Sequence, residues 1–316
     1  MDSSLLSVGL DVGTTTSQLI VSRLKIANKA GSFCVPEMDI TERQIQYRSP
    51  IHMTPLLGGD LVDAEALRTL VEEDYRLAGI TPEQVDTGAV VITGETSRKE
   101  NAAAVLQALS GFAGEFVAAP AGPDLESVLA AKGAGAVDFS KEAAKTVLHI
   151  DIGGGTSNLA LVENGEITRT GCLNVGGRLL TFRPGGEIDY VSAAVTDLTS
   201  LHAGQLPQPG QVEALAETLV QALEMAAGLR PPTDILCKLT TKETGKQWQI
   251  PRDVISSFSG GVADCIATDY PLLAFGDLGP MLGKALRNSR LCSGEYFLGR
   301  ETIRATVIGA GCHSAQ

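Results

Sequence analysis

Val8-Gly9-Leu10-Asp11-Val12-Gly13-Thr14-Thr15-Thr16-Ser17, running on through Gln18-Leu19-Ile20-Val21, is an apolar run with a carboxylate, then a turn of glycine and hydroxyls, then a second apolar run. The same pattern returns far along the chain. Leu148-His149-Ile150-Asp151-Ile152 leads into Gly153-Gly154-Gly155-Thr156-Ser157-Asn158 and leaves through Leu159-Ala160-Leu161-Val162. Each segment predicts a β-hairpin with an acid just before the turn. Such a tip suits a phosphate: unencumbered amides and hydroxyls donate to its oxygens, and the carboxylate holds a hydrated metal ion. A glycine run alone is most often a tight turn, and an Asp in a strand a local cap. Two such hairpins, one opening each half of the chain, carry far more weight.

At 316 residues the chain has room for two domains, each with its own core. With 35 glycines and 44% hydrophobic residues the composition fits a turn-rich α/β protein, and the 4% aromatic content leaves the cores to Val, Leu, Ile and Ala. A formal net charge of −12 argues against nucleic acid as a partner, and the Arg98-Lys99 pair is the longest basic cluster. The six cysteines are widely spaced with no CxxC pair, and four histidines accompany them, so no zinc constellation is visible. Scattered thiols without a leader segment are expected of a cytoplasmic protein, and no apolar run approaches a membrane span. Walker A, GxSxG and HExxH motifs are absent from the sequence. Gly133-Ala134-Gly135 lacks the preceding strand and third glycine of a dinucleotide fingerprint, which speaks against a Rossmann dehydrogenase.

Alternation around Ile45-Gln46-Tyr47-Arg48 predicts a third strand beside the first hairpin, and residues 54–60 read as a loop. A helix is expected from Asp63, its N-cap, to near Gly79, a buried strand over Thr87–Thr93, and a helix over Lys99–Ser110. In the second half, Gln211–Gly228 has the spacing of an amphipathic helix, Asp234–Leu239 reads as a strand, and Lys242–Gln249 as an exposed excursion carrying Trp248. The recurrence of strand, turn and helix after each hairpin points to an internal duplication.

The paired hairpins resemble those of the actin, sugar-kinase and heat-shock-chaperone ATPase superfamily. Val254-Ile255-Ser256-Ser257-Phe258-Ser259-Gly260-Gly261 resembles its adenosine-binding turn. Gly122 to Gly135 and Thr306 to Gly311 resemble its two connecting helices. The resemblance implies an actin-like ATPase fold, with two ribonuclease-H-like subdomains, each a mixed sheet flanked by helices, and a nucleotide cleft between them. The subdomains are expected over residues 1–140 and 141–316. ATP or ADP with Mg²⁺ is the implied cofactor. Asp11 and Asp151 then face the metal, mainly through water. Gly13, Thr14, Thr15 and Thr16 hold phosphates from one side, Gly153, Gly154, Gly155 and Thr156 from the other, and Gly260 and Gly261 back the adenosine. Glu126 takes the place of the acid that orients the attacking water, with Asp124 as the alternative and Glu95 as a weaker candidate.

Within that superfamily, Gly94-Glu95-Thr96-Ser97-Arg98-Lys99-Glu100-Asn101, Pro123-Asp124-Leu125-Glu126-Ser127 and Phe258 to Cys265 join the two hairpins in resembling the ethanolamine ammonia-lyase reactivating factors. That resemblance implies a chaperone-like ATPase that uses its nucleotide cycle to release damaged cobalamin from an adenosylcobalamin-dependent lyase. The lyase is the expected partner, with no nucleic acid and no membrane. A homodimer and association with a bacterial microcompartment belong to the same expectations. A small-metabolite kinase of the acetate or sugar type shares every phosphate motif, but it requires an acceptor-binding Asp or Arg set that is not located here. An actin-like filament protein is the other alternative. Gly309-Ala310-Gly311-Cys312 looks like the first turn of a helix, so a fragment of a longer chain is expected.

Overall fold

The computed structural model describes residues 3–13, 16–28, 38–57, 61–93, 102–112, 115–120, 122–241, 250, 253–300 and 302–313. The chain forms two compact units, Met1–Leu129 with Thr306–Gln316, and Ala130–Ala305.

In the first unit β1 (Ser3–Val12) and β2 (Thr16–Asn28) form the expected hairpin. Antiparallel pairing sets Asp11 opposite Gln18 and Val12 opposite Ser17. β3 (Met38–Arg48) and the short β4 (His52–Met53) both pair with β2. α1 (Ala64–Ala78) starts where the sequence places it, because the Asp63 carboxylate accepts from the Ala66 amide at 3.0 Å. β5 (Thr87–Ile92) runs parallel to β1, and after α2 (Ala102–Leu109) β6 (Glu115–Pro120) runs parallel to β5. Parallel neighbours need crossovers, which α1 and α2 supply. The sheet order is β3-β2-β1-β5-β6.

Period-2 alternation decides which side chains go where. Val8, Leu10 and Val12 of β1 join Leu19 and Val21 of β2, Leu67 and Val71 of α1, and Val105 and Leu109 of α2 in one core. On the other face Ile20 meets Val307 and Ile308, and Ala89 and Val91 meet Ala310 and Leu129 of α3 (Pro123–Gly133). Burying each of these branched side chains contributes roughly 1.5–3 kcal/mol.

The second unit repeats the plan. After α4 (Ala136–Ala143), β7 (Val147–Ile152), β8 (Ser157–Glu163) and β9 (Glu166–Leu173) form an antiparallel meander. A small ribbon of β10 (Leu180–Phe182) and β11 (Ile188–Val191) precedes α5 (Gln211–Ala226) and α6 (Asp234–Leu239). β12 (Ile255–Ser259) then runs parallel to β7, and beyond α7 (Ala263–Ala267) and α8 (Gly279–Arg287), β13 (Tyr296–Leu298) runs parallel to β12. The order β13-β12-β7-β8-β9 is that of the first unit, with the same strand senses. α9 (Ala305–His313) closes the described chain.

One expectation fails. Asp234–Leu239, read as a strand, is the helix α6. A short apolar run does not by itself separate strand from helix. Here Leu236 and Leu239, three apart, are the buried pair, which is helical spacing, and the strand beside β7 is β12 instead. The Lys242–Gln249 excursion and residues 99–101 of the expected Lys99–Ser110 helix lie outside the described residues, while Ser110 opens a 3-10 turn, Ser110–Phe112, directly after Ala102–Leu109.

Candidate functional site

In the first hairpin the Gly13 amide donates to the Thr16 carbonyl at 2.9 Å, closing the turn. Thr54 Oγ1 donates to the Gly13 carbonyl at 2.9 Å and lies 2.9 Å from Ser17 Oγ. Asp11, partly exposed, accepts from Thr93 Oγ1 at 2.9 Å, and the Thr93 amide donates to the Val12 carbonyl at 3.1 Å. Neighbouring segments therefore brace both the turn and the acid. Thr14, Thr15 and Glu95 lie outside the described residues.

The second hairpin closes identically: the Gly153 amide donates to the Thr156 carbonyl at 2.9 Å. The carbonyls of Gly153 and Gly154 accept from the amides of Gly177 and Arg178 at 3.0 and 2.7 Å, which ties the turn to the segment after β9. Gly155 is exposed, with open space where a side chain would stand. The Arg178 stem lies over Gly154, close enough that a methyl there would meet its Cδ at 3.4 Å, and its guanidinium stands 3.7 Å from Asp277. Burial raises the Asp277 pKa, while the Gly279 amide and Arg178 act in the opposite sense.

Asp151 sits at the end of β7 and accepts from the hydroxyl of Ser259 on β12. The residue keeps some solvent exposure, yet its carboxyl is desolvated enough that burial pushes its pKa up to about 6, against the lowering effect of the Ser259 hydrogen bond. His149, two residues earlier, is wholly buried, with Nδ1 3.0 Å from Ser257 Oγ and Nε2 3.0 Å from Ser259 Oγ. Burial depresses its pKa to about 3, so the ring is neutral. Directly after Ser259, Gly260 packs on the Ile152 backbone, and its amide donates to the Thr302 carbonyl at 2.9 Å. Gly261 is exposed, with open space where a Cβ would stand. The structure thus gathers Asp151, the Gly153–Thr156 turn and the Gly260 turn at one end of the second sheet.

Asp124 and Glu126 occupy the first turn of α3, which packs through Leu125 and Leu129 against Ala89 and Val91 of β5. Asp124 is exposed and Glu126 is buried. Thr93, His149, Ser259 and Arg178 were given no role in the sequence reading, although His149 and Ser259 stand within its hairpin and adenosine-turn motifs. Their common signal is a position at or beside the end of a strand or segment that touches an acid-bearing hairpin. Among the described residues no three His, Cys, Asp or Glu side chains gather as a metal site. No described helix is long and apolar enough to cross a membrane.

Two units of one strand order, each opening on an acid-bearing Gly/Thr hairpin, define a protein of the actin-like ATPase fold. An exopolyphosphatase from Cytophaga hutchinsonii is similar in fold, with a TM-score of 0.51 over 96% of each chain at 12% identity. The sequence model of the family described as ethanolamine utilisation protein EutA matches residues 3–316, and the chain belongs to that family. The chain is 42% identical over 324 residues to the ethanolamine ammonia-lyase reactivase EutA of Escherichia coli (strain K12), covering 98% of this chain and 67% of that protein. To the reactivase of the same name from Salmonella typhimurium (strain LT2) it is 41% identical over 326 residues, with the same coverage.

Proposed function

We propose that this protein is an ATP-dependent reactivating factor for adenosylcobalamin-dependent ethanolamine ammonia-lyase, promoting exchange of damaged cobalamin for intact cofactor. The observation that carries the nucleotide part is the repeated hairpin. Gly13 to Thr16 and Gly153 to Thr156 close at the same 2.9 Å, each beside an acid that accepts from a hydroxyl, that of Thr93 just after β5 or of Ser259 on β12. The lyase part rests on membership of the EutA family.

The donor set fits Mg²⁺. Asp151 is desolvated, so a hydrated cation relieves the cost of its charge. An ion that keeps several waters and takes the rest of its shell from phosphate needs few carboxylates from the protein. Asp11 and Asp151 would hold it, and it would neutralise charge on the phosphates. The turns at Gly13–Thr16 and Gly153–Thr156 donate to phosphate oxygens, Gly260 and Gly261 let the nucleoside approach the backbone, and Glu126 or Asp124 orients the attacking water.

Releasing a tightly held cobalamin requires an open lyase conformation to be stabilised. A partner drives that change only if its affinity for the open form depends on its own nucleotide state. The test mixes the protein with cobalamin-inactivated ethanolamine ammonia-lyase, ATP, Mg²⁺ and fresh adenosylcobalamin. Recovered turnover, lost in Asp151→Ala, supports the proposal. No recovery, together with phosphoryl transfer to ethanolamine or a short-chain acid, replaces it with the kinase reading.

A further inference from the structure

Parallel pairing sets His149 opposite Ser257 and Asp151 opposite Ser259, so four polar side chains share one face of β7 and β12. Leu148, Ile150 and Ile152, on the alternate face, join the apolar core with Phe258. His149, Ser257 and Ser259 have no measurable exposure, so each proton in this group must be assigned to a partner within it.

The assignment has one solution. An ionised carboxylate accepts only, so the single proton of the Ser259 hydroxyl goes to Asp151. Ser259 Oγ must then accept from His149, which places the ring proton on Nε2. A neutral imidazole has one N–H, so Nδ1 accepts, and Ser257 donates to it.

We infer that His149, held as the Nε2–H tautomer between Ser257 and Ser259, is a positioning residue that commits the Ser259 hydroxyl to Asp151 and so fixes the carboxylate that faces the hydrated cation. The inference rests on the Mg-ATP reading of the second hairpin. A serine hydroxyl left alone rotates among staggered wells. Here the imidazole occupies its acceptor side and leaves its proton one destination. Because Ser259 adjoins Gly260, the same bond links the orientation of the acid to the glycine turn packed on Ile152. The first hairpin has no such arrangement. Two residues before Asp11 stands Gly9, where a methyl group would overlap the Val307 carbonyl, so no side chain fits there. Asp11 takes its hydrogen bond from Thr93 directly.

Two measurements test this. Nitrogen-15 NMR of the metal-free protein at neutral pH reads the His149 tautomer without any nucleotide. A ring protonated on Nε2 supports the inference, and one protonated on Nδ1 overturns it. Ser257→Ala removes one buried oxygen and its donor, with a thermal melt to establish that the fold is kept. The expected result is a mixture of tautomers and about a tenfold rise in the Mg²⁺ needed for half-maximal ATP binding, the scale seen when a partner of a metal ligand is lost. ATP affinity at saturating Mg²⁺ should be unchanged. A folded Ser257→Ala whose Mg²⁺ dependence matches the parent overturns the inference. His149→Gln repeats the measurement, and if it does not fold, Ser257→Ala and the tautomer decide. A parent that binds no Mg-ATP sinks the nucleotide reading instead, while the NMR result still decides the hydrogen-bond chain.

Discussion

Gly260 rests on Ile152: at a φ of 85° its Cα approaches so closely that a methyl group there would overlap the Ile152 carbonyl oxygen. This contact joins the end of β12 to the start of the second phosphate turn, and only glycine satisfies both the left-handed backbone and the missing space. Gly260→Ala is therefore expected to cost about 3 kcal/mol or more, from overpacking and backbone strain together. Gly261→Ala, exposed and with open space, is expected to change stability by less than about 0.5 kcal/mol. Urea denaturation of both variants checks the contrast. A Gly261→Ala protein that folds but loses nucleotide identifies that backbone as a ligand contact.

The two acids should matter together. Asp11→Ala and Asp151→Ala are each expected to weaken Mg²⁺-dependent ATP binding while leaving weak metal-free binding in place. Calorimetry with and without Mg²⁺ is the measurement, and parent-like affinity in both variants would remove the hairpins from the site.

Glu126 and Asp124 make opposite demands on the chain, one buried and one exposed on the same helical turn. If Glu126 orients the attacking water, Glu126→Gln keeps nucleotide affinity and slows hydrolysis about 10²-fold. An unchanged rate, with a slowed Asp124→Asn, moves the role to Asp124.

Asp151 also predicts a pH dependence. Its folded pKa of about 6 lies above the ordinary 3.8, so the folded protein holds this proton more tightly than the unfolded chain. The favourable contribution is complete below 3.8 and is lost as pH rises to about 6, above which the desolvated charge is a net cost. Asp151→Asn resembles the protonated acid. Without Mg²⁺ it should melt roughly a few degrees higher than the parent at pH 8. The gap should close as pH falls from about 6 towards 3.8. A gap that does not vary with pH between 4 and 8 would refute the assignment. His149 works in the opposite sense: its folded pKa of about 3 lies below 6.5, so stability is lost as pH falls through that window in parent and variant alike.

The hairpins, the Asp63 cap, α5 and the strand over Thr87–Ile92 were legible in the sequence because each depends on residues close along the chain. Period-2 alternation, a Gly/Thr turn and a capping carboxylate act within a few residues of one another, and no distant contact is needed to read them. Asp234–Leu239 was misread because six apolar-leaning residues carry too little periodicity, and packing of Leu236 and Leu239 chose the helix. What braces the two acids was not legible at all. Thr93 is 82 residues from Asp11, and Ser259 is 108 residues from Asp151. They meet only because β5 lies beside β1, and β12 beside β7, in parallel register. Local sequence thus determined that each half carries an acid and a phosphate-shaped turn. Only strand pairing across the sheets decided which hydroxyl and which imidazole hold those acids, because parallel neighbours are joined by long crossovers and their register is fixed by packing rather than by a turn.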